Sequence, residues 1–351
     1  MSQTDLDRLL AEIHEQPHVI QRLLDAQHRQ VRELAQIVER RDPSAIVFVA
    51  RGSSDNAAIY GRYLLEVCNR RLTSLAAPSG LTLYGSGPRL GQTVVIGVSQ
   101  SGQGEDVIAY VRDARAQGAA TVAIVNDVSS PLAGAADVVL DCMAGPELSI
   151  PATKTVTAQM TLLAMLSVSL EDASDDMHQL GELPASVGAA LEQRGAAGGL
   201  ARWLAGSSLS SVIGRGFAFP PALEVALKLK ETSYTRAEPF SAADFLHGPV
   251  ALVEPKYSAL LIDVGGRSSS AARSLSDSIR ERGGEAALLR AGKLEPLPDG
   301  LPAATAASPI AEPFAAIPAL ILGQLFAVEL ALALGLDPAR PRGLRKVTST
   351  R

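Results

Sequence analysis

One strand, turn and helix pattern occurs twice in this chain, and two independent landmarks recur at nearly the same spacing. Residues 46–50 read as a strand ending in Arg51-Gly52-Ser53-Ser54, followed by a helix through Tyr60, Tyr63, Leu64 and Leu65. Residues 211–213 read as a strand ending in Gly214-Arg215-Gly216, followed by a helix over 221–233. Further on, a helix over 107–117 leads through Gly118 to a strand over 121–125. A helix over 271–282 leads in the same way through Gly283 to a strand over 286–289. Gly52 and Gly216 differ by 164 positions, and Gly118 and Gly283 by 165. A duplicated domain accounts for both offsets. Short β-branched runs alternating with helices make each copy an α/β unit with a parallel sheet.

Composition agrees with that class. A length of 351 residues favours two cores over one, and 47% hydrophobic residues with only 4% aromatics fit Ala/Val/Leu-rich strands under packed helices. A net charge of −5 gives no general attraction to DNA or RNA. The two cysteines, Cys68 and Cys142, have neither metal-ligand nor CxxC spacing, so the expectation is a reduced, cytoplasmic chain without a metal. The N-terminus is charged and lacks the apolar core of a signal peptide. Residues 314–336 are apolar, but Pro318, Gln324 and Glu329 interrupt them, so a buried core helix is expected rather than a membrane span.

The segment 93–105, TVVIGVSQSGQGE, carries the first chemical signal. Val94, Val95, Ile96 and Val98 suit a strand covered on both faces. Ser99, Gln100, Ser101 and Gly102 follow, and a helix is expected over 106–116. Free backbone N–H groups and the positive end of a helix dipole at such a junction suit an anion, with neutral hydrogen bonds added by Ser and Gln. A plain strand-to-helix turn capped by Ser101 fits this segment equally well. At the corresponding place the second copy has Val264-Gly265-Gly266-Arg267, which looks less suited to a phosphate.

The boundaries follow from these units: a helical arm over 1–43, a first domain over 44–172, linker helices over 173–205, a second domain over 206–340 and a tail over 341–351. In the arm, Leu6, Leu9, Leu10 and Ile13 suit one amphipathic helix, and Val19 to Val38 a second one after Pro17. In the second domain, Leu223, Leu227, Glu231 and Tyr234 fall on one helical stripe. That spacing sets Glu231 among apolar neighbours, apart from an i,i+4 surface pair of Glu224 and Lys228. A carboxylate so placed would have a raised pKa and could move protons near neutral pH. A solvated Lys-Leu-Lys-Glu run fits the periodicity as well. His247 precedes Gly248-Pro249, a turn that exposes an imidazole.

Together these segments resemble the tandem sugar isomerase (SIS) family, in particular the isomerase half of glucosamine-6-phosphate synthase and the deaminases of the same fold. RGSSDNA at 51–57, SQSG at 99–102, GPELSIPATK at 145–154, LEVALKLKE at 223–231, LHGP at 246–249 and PRGLRKVT at 341–348 carry the resemblance, in family order. It implies two flavodoxin-like α/β/α sandwiches. It also implies that Ser53, Ser54, Ser99, Gln100 and Ser101 bind the sugar phosphate and its neighbouring hydroxyls, and that Ile150 and Ala152 line the sugar through their backbone. By the same resemblance Glu231 shuttles a proton between C1 and C2, and His247 opens the ring from the partner subunit of a homodimer. Lys346 then matches a lysine that can form an imine with an open-chain ketose.

Two departures stand out. Gly104 takes the place of a family Ser or Thr hydroxyl on the phosphate, which puts affinity in question. Barely forty residues precede the first unit, so glutamine-dependent synthesis is not expected of this chain. The expectation is an aminosugar-6-phosphate deaminase converting glucosamine 6-phosphate to fructose 6-phosphate and ammonia, with no cofactor. Enzymes acting on galactosamine 6-phosphate or fructosamine 6-phosphate, and a non-catalytic phosphosugar sensor, are the alternatives.

Overall fold

The computed structural model describes residues 3–171, 174–297 and 300–346. Two five-stranded parallel sheets carry the fold. The first contains β1 (Ala45–Val49), β2 (Thr73–Leu75), β3 (Thr93–Ser99), β4 (Ala120–Val125) and β5 (Val138–Asp141), in the order β2-β1-β3-β4-β5. The second contains β6 (Ser208–Gly214), β7 (Glu238–Ser241), β8 (Tyr257–Asp263), β9 (Glu285–Gly292) and β10 (Ala303–Ala307). Its order, β10-β9-β8-β6-β7, is the first order read from the other edge. The expected duplication and the expected doubly wound parallel architecture are therefore both present.

Residues of β3 from Thr93 to Val98 and all residues of β4 and β8 are buried, which explains why these strands lack apolar-polar alternation. In the first sheet, β1 runs to β2 on one side and the chain then returns to β3 on the other, so the winding reverses between β1 and β3. Crevices at the carboxyl ends of strands open at such a reversal. The second sheet reverses in the same way between β6 and β8.

The chain packs as two compact units. One contains His18–Glu147, Lys154–Gly181 and the tail from Arg345, and it holds the first sheet. The other contains the segment ending at Pro17, the loop Leu148–Thr153 and Glu182–Leu344, and it holds the second sheet. The loop Leu148–Thr153 thus packs with the second sheet although it lies next to the first in sequence.

The arm forms three helices, Gln3–His14, Gln16–Ala26 and His28–Arg41, where the hydrophobic pattern alone suggests two. Pro17 falls in the first turn of the second helix, where a missing N–H costs nothing. The extra break comes at Gln27. The small-residue run Gly195–Gly199 lies inside the helix Arg194–Ala205. A methyl group at Gly198 would meet the Glu329 carboxylate at 3.2 Å, so the small side chain allows close approach to the helix Glu312–Ala333. That apolar helix is almost wholly buried inside its unit, as expected of a core helix.

Candidate functional site

At the reversal of the first sheet, two helix N-termini meet the ends of adjacent strands. The helix Ser53–Val67 begins after β1, with Ser53 half-buried and Ser54 buried in its first turn. Ser54 Oγ accepts a hydrogen bond from Nε2 of the buried Gln159 at 3.1 Å, and its own proton remains to be donated. After β3, Ser99, Gln100 and Ser101 are half-buried. Ser99 Oγ accepts the Gly102 N–H at 3.1 Å and Ser101 Oγ accepts the Gln103 N–H at 3.3 Å. These hydroxyls thus order the turn by accepting and keep a donor each for a ligand.

Gly102 is required in this turn. Its φ of +62° is left-handed, and a Cβ would come within 2.1 Å of Ser130 Oγ. The helix Glu105–Ala116 follows with Gly104 as its N-cap, in an extended conformation that any residue adopts. Space beside Gly104 is adequate: a Cβ would lie 3.5 Å from Asp106 Oδ1 and 3.7 Å from Val107 Cγ2. Arg51 adds a cation next to this turn. Its guanidinium holds the buried Asp106 through two contacts of 2.7 Å while about half of its own side chain stays exposed. Burial raises the pKa of neighbouring Asp55, opposed by the Arg51 charge.

The second copy differs in what its turn binds. Gly265 and Gly266 have φ values of +75° and +63°. The Gly265 N–H donates to Asp263 Oδ1 at 2.9 Å, and the Arg267 N–H donates to Glu312 Oε2 at 2.8 Å. A Cβ on Gly266 would collide with that same Glu312 oxygen at 2.4 Å. The backbone donors of this turn are therefore held by the chain's own carboxylates, whereas neutral hydroxyls do that work in the first copy.

Lys346, in the C-terminal tail, donates to Glu147 Oε2 at 2.7 Å within the unit of the first sheet. The Glu147 side chain is fully buried. It also accepts the Thr155 N–H at 3.1 Å and the Thr155 hydroxyl at 2.9 Å.

In the other unit, Glu231 lies near the end of the helix Phe219–Thr232, and here the periodicity reading is corrected. Glu224 and Lys228 form a buried pair rather than a surface pair, while Leu223 and Leu227 are half-exposed. Lys228, with 3% of its side chain exposed, lies 3.5 Å from Glu224 Oε1 and donates to Glu231 Oε2. The helix turns its 224 and 228 positions inward alongside Val225 and Leu229, which is tolerable because the charges compensate one another. Glu231 thus belongs with Lys228 and not with an apolar stripe. Its side chain is 23% exposed, and Oε1 has no hydrogen-bond partner among the described residues.

His247 caps the short helix Ala242–Leu246 with an exposed imidazole, flanked by the exposed Leu246 and Leu252. Ile150 and Ala152 are half-buried in the loop Leu148–Thr153 of this same unit. Among the described residues, no group of three or more His, Cys, Asp and Glu side chains is arranged to hold a metal ion. Arg51, Asp106, Glu147 and Gln159 escape sequence reasoning, because their partners lie 55, 199 and 105 positions away.

A duplicated parallel α/β protein with hydroxyl-lined helix N-termini at the reversal of its first sheet defines a doubly wound architecture suited to binding an anion there. The chain belongs to the SIS-domain family, whose domain matches residues 41–169 and 210–334. It is 33% identical over 347 residues to the isomerizing glutamine–fructose-6-phosphate aminotransferase of Thermococcus kodakarensis, covering 96% of this chain and 57% of that protein. The chain thus spans little more than half the length of this relative. A crystal structure from Silicibacter pomeroyi, provisionally assigned as a phosphosugar isomerase, superposes with a TM-score of 0.82 at 31% identity, covering 94% of this chain and 99% of that one. Glucosamine-6-phosphate deaminase of Thermotoga maritima shares the fold, with a TM-score of 0.75 at 18% identity over 98% of this chain and 100% of that one.

Proposed function

We propose that the protein deaminates an aminosugar 6-phosphate, taking glucosamine 6-phosphate and water to fructose 6-phosphate and ammonia. The observation that carries this reading is the Glu231 carboxylate, reachable from solvent, with one oxygen fixed by buried Lys228 and the other available for a substrate proton. Membership of the SIS family and resemblance to the isomerase half of the aminotransferases support the phosphosugar class.

In the proposed sequence, Ser53, Ser54, Ser99, Gln100 and Ser101 hold the phosphate and adjacent hydroxyls, and Ile150 and Ala152 line the sugar. His247 of a partner subunit assists ring opening. Glu231 takes the C2 proton of the open-chain amino aldehyde and returns it at C1, while O1 gains a proton and the amine nitrogen loses one, which leaves a C1 alcohol and a C2 ketimine. Water adds to that ketimine, the C2–N bond breaks and ammonia leaves. An α-amino aldehyde has an acidic C2 proton, so the step needs only a base and an electrostatic environment for the enolamine. Lys346, held by Glu147, supplies a cation over the open chain.

The test is ammonia release from a panel of glucosamine, galactosamine and fructosamine 6-phosphates, with Glu231→Gln measured alongside. The variant is expected to bind substrate and lose roughly two to four orders of magnitude in turnover. Wild-type turnover in Glu231→Gln removes Glu231 from the mechanism. Binding without ammonia release from any sugar removes the deaminase.

A further inference from the structure

The loop Leu148–Thr153 is held at one end by Glu12 of the N-terminal arm and at the other by Gln324, which Gln16 of the arm contacts in turn. Glu12, in the helix Gln3–His14, is 3% exposed. Its Oε1 accepts the Leu148 N–H at 2.6 Å and the Ser149 N–H at 3.3 Å, and its Oε2 accepts the Ser149 N–H at 3.2 Å. One helical turn further on, the buried Gln16 donates from Nε2 to Gln324 Oε1 at 2.7 Å. Gln324 in turn donates from Nε2 to the Thr153 carbonyl at 3.2 Å. Leu6, Leu9 and Ile13 are buried along the same helix, so packing also anchors it.

A surface loop normally leaves its backbone groups to water. Here two successive N–H groups are bound by one buried carboxylate, an arrangement stronger than neutral pairing and fixed in direction. The arm, the loop and Gln324 all belong to the unit of the second sheet.

We infer that Glu12 is a positioning residue for the phosphosugar: its carboxylate fixes the backbone of Leu148–Thr153 so that Ile150 and Ala152 present preset main-chain groups to the sugar. This rests on the reading of the chain as a phosphosugar enzyme. Preorganisation of this kind acts on the sugar moiety and leaves recognition of a free phosphate ion untouched.

The full-length protein is compared with Glu12→Ala and the nearly isosteric Glu12→Gln, each checked for folding by thermal denaturation. Binding of glucosamine 6-phosphate, fructose 6-phosphate and inorganic phosphate is measured by calorimetry, together with KM and kcat. Glu12→Ala is expected to weaken binding of the sugar phosphates and raise KM by roughly tenfold, with kcat and the affinity for inorganic phosphate changed less than about twofold. Glu12→Gln retains an oxygen that both N–H groups can share, and it should restore most of the loss, to within about threefold of wild type. Unchanged sugar-phosphate binding in both folded variants overturns the inference alone. Equal losses for the sugar phosphates and inorganic phosphate overturn it in favour of a purely structural role. A wild-type protein that binds no phosphosugar overturns the functional reading and this inference with it.

Discussion

The Lys346 ammonium and the buried Glu147 carboxylate form an ion pair at 2.7 Å across 199 residues of sequence. Glu147 is fully buried and Lys346 is 22% exposed, so the pair is screened on one side only. Lys346→Ala removes this ion pair from a carboxylate that also accepts from Thr155, and about 1–2 kcal/mol of stability should be lost, less than for a fully buried pair. Turnover should fall by more than that loss of stability explains. Glu147→Gln keeps the shape and removes the charge, and a roughly tenfold fall in turnover is expected if the carboxylate holds the amine in place. Steady-state kinetics beside thermal denaturation separates the two effects. Wild-type rates in Lys346→Ala would remove this lysine from the chemistry.

The turn after β3 predicts graded phosphate affinity. Ser99→Ala and Ser101→Ala each remove one neutral hydroxyl from a turn still rich in backbone N–H groups, so each should cost about 1 kcal/mol, a several-fold loss of affinity. Gly104→Ser should strengthen binding, since the extended N-cap geometry and the free space at 3.5 Å accept a side chain there. In the second copy Ser268→Ala is the proper control and should leave affinity unchanged. Gly266→Ala is unsuitable because its left-handed φ and the Glu312 contact would strain the backbone. Calorimetric titration with glucosamine 6-phosphate reads all four. A loss confined to Ser268→Ala would transfer the phosphate to the other copy.

Exposure of His247 between the exposed Leu246 and Leu252 fits a histidine delivered to a neighbouring subunit. His247→Ala and Glu231→Gln should each be inactive alone. A mixture that exchanges subunits should recover activity, because a mixed dimer has one site with both groups intact. Failure to recover after demonstrated exchange would mean that each site is built from one chain.

Both thiols should be sluggish toward disulfide reagents. Burial, reinforced by the charges of Asp176 and Glu171, pushes the Cys68 pKa up to about 11, and burial pushes that of Cys142 well above the usual thiol range. The reactive thiolate is then the minor form, on the order of one part in a thousand for Cys68 at pH 8. Reaction with Ellman's reagent should be far slower in the native protein than after denaturation. Rapid native labelling of one equivalent would show that Cys68 is less enclosed than described.

Much of the architecture was legible because its signals are local. β3 announces itself by four apolar β-type residues and a Ser/Gly turn, and the two copies by glycines that recur 164 and 165 positions apart. The face of the helix bearing Glu231 was misread for a physical reason. Periodicity assigns charged residues to solvent, and Glu224 and Lys228 are buried because they neutralise each other, which no hydropathy pattern encodes. The split of the arm at Gln27 was equally hidden, since the apolar residues continue in register past it. Glu12, Glu147 and Gln159 were invisible for another reason: each acts through a partner more than a hundred positions distant.

Glu312 gives the duplication an asymmetric outcome. A turn whose N–H groups await an anion gains stability when one binds, in proportion to the logarithm of its concentration. A turn already closed by a tethered carboxylate has no such dependence, because its counter-ion is part of the chain and present at every concentration. The Gly265 and Arg267 N–H groups of that turn therefore have their acceptors without any external anion. On the proposed function, the turn after β3 would respond to the concentration of its phosphosugar, while the corresponding turn after β8 keeps its geometry as that concentration changes.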